Sequence, residues 1–269
     1  MAQAEGQQML SSGPKLRKWY GAADRPTDGG EGMQEGQMRE GNKAEEAADS
    51  AESGLVICVT DAESEIGEQI VLQLIQDRAE VKLMVQNTMA ASTAYGPYVR
   101  PVSVSSDTDP GTLVKVLRGV KCLICLGRLG KLLPAAKKAG VQHVLLLSSA
   151  GSPPPSGFLA GFFKSELAGL EEVSREEQLI ASGIPYSIIR VAALDTSSRG
   201  GTQAVSFIKG AVGTAASGTI PRQDLAQLVM KTAMAPPPPA CGRTFLVSSA
   251  GPGALPKDYS FLDTFNTSQ

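Results

Sequence analysis

The stretch Leu55–Asp77, LVICVTDAESEIGEQIVLQLIQD, decides the fold. Leu55 to Val59 form an unbroken apolar run, which predicts a central parallel strand covered on both faces. Ile66, Ile70, Val71, Leu74 and Ile75 then recur at helical spacing, so one stripe can pack back onto the sheet. A strand that feeds a helix through a tight turn opens a dinucleotide-binding unit, with the helix N-terminus aimed at a pyrophosphate. Where such a turn calls for three glycines, this one has Asp61, Ser64 and Gly67, with Glu63 and Glu65 between them.

Outward from this unit, strands and helices alternate. Glu80–Gln86 and Val99–Ser105 read as the second and third strands, with a short helical piece over Thr88–Tyr95 between them. Lys121–Leu126, His143–Leu147 and Tyr186–Val191 read as the next three. A helix is expected to start at Pro110 with Leu113, Val114 and Leu117 as its apolar face, and others over Leu129–Ala139 (closed by Gly140), about Leu159–Ala181 (ended by Gly183), and Pro221–Met234. Ala204–Ile208 and Thr244–Val247 supply further strand signals. Alternation of this kind implies an α/β fold: a doubly wound, mostly parallel sheet with helices on both faces, plus a small irregular C-terminal part. Residues 1–53 are rich in Gly, Gln, Glu and Ala and cannot bury enough apolar surface to offset chain entropy, so a disordered N-terminal tail is expected. The organisation is then a tail over 1–53, the dinucleotide-binding fold over 54–250, and a second tail over 251–269.

Composition narrows the function classes. Formal net charge is −2 with Lys and Arg scattered, so a nucleic-acid footprint is missing. Apolar runs stop short of membrane-spanning length. Four widely spread cysteines do not form a secreted disulfide framework and point to a reducing compartment. Cys122-x-x-Cys125 falls on a strand, where residues three apart face opposite sides, so it reads as two core thiols rather than a redox or zinc motif. His143, without His or Cys close in sequence, reads as structural. Within the tail, Lys15–Tyr20 surrounds the single Trp, Trp19, and is the segment best suited to dock on a protein partner.

VTDAESEIG after the first strand, DTDPGTLVKVLRGVK before the fourth, GVQHVLLLSSAG at the fifth, ASGIPYSIIR at the sixth and IPRQDLAQLV at a late helix carry a resemblance. In that order they resemble the atypical, extended-type short-chain dehydrogenases with a Rossmann-like fold, in particular the NmrA-like branch and its plant plastid members. The resemblance covers Leu55 to Ser249. It implies a chloroplast location, against the alternative of the cytoplasm, and a nicotinamide cofactor, NAD or NADP.

In the family the first turn follows Gly-x-x-Gly-x-x-Gly, of which Gly67 survives as the packing glycine. The dinucleotide-facing residues that the resemblance implies are Asp61, Ser64, Glu65, Ile66 and Gly67 of the turn, Gln86 and Asn87 after the second strand, Ser106 after the third and Gly127 after the fourth. Gln86 and Asn87 provide neither the acid that favours NAD nor the Arg that favours NADP. One carboxylate about 4 Å from a phosphate charge costs on the order of 4 kcal/mol at an effective dielectric of about 20. That is roughly two to three orders of magnitude in affinity. The other reading of the turn is structural: Ser64 caps the helix while Glu65 and Glu68 complement its positive end.

Hydride transfer in this family uses a Tyr acid with a Lys four residues on, plus a Ser. Ser148 or Ser149 matches the Ser, and Lys164 in Phe162-Phe163-Lys164 is a Lys without the Tyr. The sequence therefore points to a non-catalytic or weakly cofactor-binding protein with a sensor or scaffold role, against the alternative of an active NAD(P)H-dependent oxidoreductase of unknown substrate.

Overall fold

The computed structural model describes residues 54–149, 173–195, 198, 200–201, 203–210, 218–234 and 242–252. The expectations for the 1–53 tail, the Lys15–Tyr20 segment, Lys164 and the chain beyond 252 lie outside those residues.

Strand β1 (Val56–Thr60) is buried along its whole length. Parallel neighbours flank it, β2 (Glu80–Val85) on one side and β4 (Cys122–Cys125) on the other. With β3 (Val99–Ser103), β5 (His143–Ser149), β6 (Tyr186–Val191), β8 (Gln203–Gly210) and β10 (Arg243–Pro252), the sheet runs β3-β2-β1-β4-β5-β6-β10-β8. Pairing is parallel as far as β10, and β8 closes the edge antiparallel to it. Short β7 (Ala193–Asp195) and β9 (Thr219–Pro221) form a separate parallel pair. Sheet order reverses between β1 and β4, which places a ligand crevice at their carboxyl ends.

Among the described residues, six α-helices cover the sheet: α1 (Glu65–Gln76), α2 (Thr88–Tyr95), α3 (Pro110–Leu117), α4 (Leu132–Ala139), α5 (Val173–Ser182) and α6 (Arg222–Met234). Side chains alternate along β1. Ile57 and Val59 pack with Ile66, Ile70, Val71 and Leu74 of α1 and Leu225 and Val229 of α6. Val56 and Cys58 face the other layer, with Leu113 and Leu117 of α3, Leu132 of α4 and Leu179 of α5. Burial on this scale, at about 25 cal/mol per Å² of apolar surface, is what holds helices of 8 to 13 residues that are marginal alone.

The doubly wound architecture agrees with the sequence reading, and the C-terminal part is more regular than expected. Periodicity placed Thr244–Val247 alone; the strand runs Arg243–Pro252 because both its edges are paired, to β6 and to β8. Helix α4 begins at Leu132 rather than Leu129 and ends as expected, with Gly140 left-handed at φ 80. Cys122 and Cys125 do sit on opposite faces, one in each core layer. Burial pushes the Cys125 thiol up to about 12.

His143 is buried, with Nδ1 3.6 Å from Cys122 Sγ and Nε2 3.0 Å from Ser187 Oγ. Desolvation lowers its pKa from 6.5 to about 4. Between those values the unfolded chain holds more protons than the folded one, so stability falls as pH drops from 6.5 towards 4. Roughly 3 kcal/mol is at stake when the window is crossed in full. Urea unfolding across this range should show that slope in the wild type and a flatter one in His143→Gln.

Candidate functional site

The crevice at the switch point is built from the turn after β1. Ser64 is the N-cap of α1: its Oγ accepts from Gly67 N at 3.1 Å and donates to Asp61 O at 2.9 Å. Gly67 packs so tightly that an added Cβ would lie 2.8 Å from Ser64 Oγ and 2.9 Å from both Ala62 Cα and Asp61 O. Ile66 is buried in the core below. Amides at the start of α1 have no intrahelical carbonyl to bond, and that of Gly67 is taken by the Ser64 cap.

Three carboxylates leave this turn in three directions. Asp61 holds a left-handed backbone, φ 49, where a glycine is ordinarily found. Its side chain lies across the crevice against Gly127, the second residue after β4: a Cβ built on Gly127 would fall 1.9 Å from Asp61 Oδ2. Desolvation raises the Asp61 pKa above the ordinary value, and the Glu63 charge adds to this. A hydrogen bond with the Thr60 side chain and the Arg175 charge act in the opposite direction.

Glu63 turns the other way, towards the end of β2. Its Oε1 accepts from the backbone N–H of Gln86 at 3.0 Å and of Asn87 at 2.8 Å. Asn87 in turn caps α2, its Oδ1 accepting from Ala90 N at 3.0 Å. Glu65 leaves the crevice altogether and pairs with Arg222 at the start of α6, 2.6 Å away. Among the expected cofactor residues, the structure thus gathers Asp61, Ser64, Gly67 and Gly127 around one crevice, while the Ile66 side chain lies in the core beneath. Gln86 and Asn87 join them through Glu63, and Glu65 does not face it.

Ser106 supports the far wall. Its carbonyl accepts from Lys131 N at 2.8 Å, and a Cβ on Gly130 would fall 2.7 Å from that oxygen. Lys131 Nζ also donates to Asp107 O at 3.2 Å. These contacts fix the loop after β3 to the loop after β4.

Ser148 and Ser149 end β5, both buried. Ser148 Oγ donates to Glu176 Oε1 at 2.5 Å, and the same oxygen meets Arg190 Nε at 3.0 Å. Glu176 is wholly inaccessible to solvent. Next to it on α5, buried Arg175 reaches under the strand ends, donating from Nη2 to Gly127 O at 2.6 Å and from Nη1 to Leu147 O at 3.3 Å. A charged girder of Arg175, Glu176 and Arg190 therefore underlies the position where the Ser hydroxyl was expected to act. Sequence reading passed over Arg175 and Glu176. The available signal was a charge at Glu176 placed three residues before Leu179, on the apolar stripe of its helix. It also named Glu63 among the turn's acids without placing it on the β2 end.

Residues 62–236 match a family model described as NAD(P)H-binding. The chain belongs to this NAD(P)H-binding family. A curated relative, sanguinarine reductase from Eschscholzia californica, is 37% identical over 65 residues, which cover 24% of this chain and 23% of that protein. Among solved structures, an anaerobillin reductase from Escherichia coli O157:H7 superposes with a TM-score of 0.58 at 18% identity, over 72% of this chain and 97% of that one. A short-chain dehydrogenase/reductase from Veillonella parvula in complex with NADP gives 0.58 at 13% identity, over 74% and 96%. An oxidoreductase from Lactococcus lactis gives 0.53 at 20%, over 73% and 91%. At these identities the structural likeness establishes the fold, an NAD(P)-binding oxidoreductase-like fold, and the chemistry has to come from the site. Among the described residues, no helix is long and apolar enough to cross a membrane and no His, Cys, Asp and Glu cluster could hold a metal ion.

Two substitutions test this geometry. Glu176→Ala leaves the buried Arg190 guanidinium without its carboxylate and should cost about 3–5 kcal/mol in chemical denaturation. Gly127→Ala makes the Asp61 carboxylate, the movable end of an exposed side chain, swing aside and should cost about 0.5–1 kcal/mol. Much of that second cost should disappear in an Asp61→Gly background, as a double-mutant cycle on the two positions would measure.

Proposed function

We propose that this chain is a non-catalytic, weakly or non-cofactor-binding member of the NAD(P)H-binding family, with a sensor or scaffold role. One observation carries the reading: the Asp61 carboxylate rests against Gly127 at the sheet's switch point, the place a dinucleotide diphosphate would cross. A diphosphate and a carboxylate do not share that space without a like-charge cost on the order of 4 kcal/mol. The residues present do not fit the cofactor's diphosphate.

The expected reaction centre supports the same reading. Ser148 gives its proton to a hydrogen bond with Glu176, so its hydroxyl is not presented to a substrate carbonyl, and Ser149 beside it is buried at the strand end. Loss of a positioned acid removes roughly 10²- to 10⁴-fold of rate. In a sensor or scaffold role, the segment around Trp19 is the docking element, and a plastid is the proposed compartment by resemblance to plant members.

Calorimetric titration of the full chain with NADH and with NADPH tests the reading. It predicts no saturation of either dinucleotide below the millimolar range; micromolar binding of either would overturn it.

A further inference from the structure

Closure of the crevice involves two carboxylates, and they stand at chemically different points of the dinucleotide track. NADH and NADPH share the diphosphate bridge. They differ only at the adenosine ribose, where NADPH carries a 2′-phosphate. In a doubly wound fold the bridge passes the start of α1, and the ribose 2′ position meets the end of β2, about 20 residues after the turn. Asp61 stands at the first of these points, across from Gly127. Glu63 stands at the second, its Oε1 on the amides of Gln86 and Asn87.

Those two amides are consecutive donors just ahead of α2, on its N-cap Asn87 and on the residue before it, and paired donors of this kind suit an anionic oxygen such as that of a 2′-phosphate. Here they already hold an anion that belongs to the chain. A 2′-phosphate would have to displace Glu63 or lie within a few ångströms of it, anion against anion. A ribose 2′-hydroxyl has no such conflict, because it can donate to the outer oxygen of the same carboxylate.

We infer that Asp61 and Glu63 divide the exclusion of dinucleotide between them, Asp61 against the diphosphate bridge of both cofactors and Glu63 against the 2′-phosphate that NADPH alone carries. The inference rests on the reading of the crevice given above and adds an order of release. Opening at Asp61 alone admits NADH. Opening at both positions admits NADPH as well.

Asp61→Gly is a safe variant, since glycine takes φ 49 without strain. Glu63→Ser frees the two amides, while Glu63→Gln keeps an oxygen on them and removes the charge. Wild type, Asp61→Gly, Asp61→Gly/Glu63→Ser and Asp61→Gly/Glu63→Gln are titrated with NADH and NADPH by calorimetry, with thermal melting to confirm that each is folded. Asp61→Gly should gain at least 100-fold for NADH and prefer it to NADPH by at least tenfold. Adding Glu63→Ser should reverse the preference by at least tenfold in favour of NADPH, with Glu63→Gln between the two. A folded double variant silent to both cofactors overturns the inference and leaves the non-binding reading of the wild type standing. An NADPH:NADH ratio unmoved by Glu63→Ser overturns the share assigned to Glu63. Wild type that binds NADH at micromolar concentration overturns both the closed crevice and the share assigned to Asp61.

Discussion

A single negative charge held at the mouth of the sheet, Asp61 against Gly127, is the constraint around which the site is built. The strand order brings the ends of β1 and β4 side by side, and the turn after β1 must then leave the sheet sharply enough to start α1. Asp61 makes that departure with a left-handed backbone, which directs its side chain across the gap. Gly127 leaves room for it. The glycine that in this fold lets a backbone pass close to a ligand here accommodates a side chain of the same chain.

Charge is balanced from below. Arg175 lies buried beneath the crevice floor, tied to the carbonyls of Gly127 and Leu147, and its field favours the ionised form of Asp61 against the desolvation that opposes it. Beside it, Glu176 and Arg190 neutralise one another and immobilise Ser148. Buried ion pairs of this sort add little net stability over an apolar core, yet removing one partner is costly. The network therefore fixes the C-terminal ends of β4, β5 and β6 relative to α5. It does so where an enzyme of this fold would need a hydroxyl exposed to substrate.

Much of the fold was legible in the sequence because its signals are local. The unbroken apolar run of β1, the stripe Ile66–Ile70–Leu74 and the cap Ser64 each follow from nearest neighbours along the chain. Opposite burial of Cys122 and Cys125 followed from strand alternation alone. The true length of β10 did not, because pairing to β6 and β8 sustains it beyond its apolar core. Likewise the acidic turn could be read as acidic, but the direction of each carboxylate depends on partners 20 to 160 residues away: Gln86 for Glu63, Gly127 for Asp61, Arg222 for Glu65. Those partners are tertiary facts, and no periodicity encodes them.

The central claim is that the chain's own carboxylates stand where a dinucleotide would lie. Crystals of the full chain soaked in millimolar NADH and, separately, NADPH put it to the most direct test. The account predicts Asp61 still seated against Gly127, Glu63 still on the amides of Gln86 and Asn87, and no ordered dinucleotide between them. Density for a diphosphate at the start of α1, with both carboxylates rotated out to solvent, would contradict it.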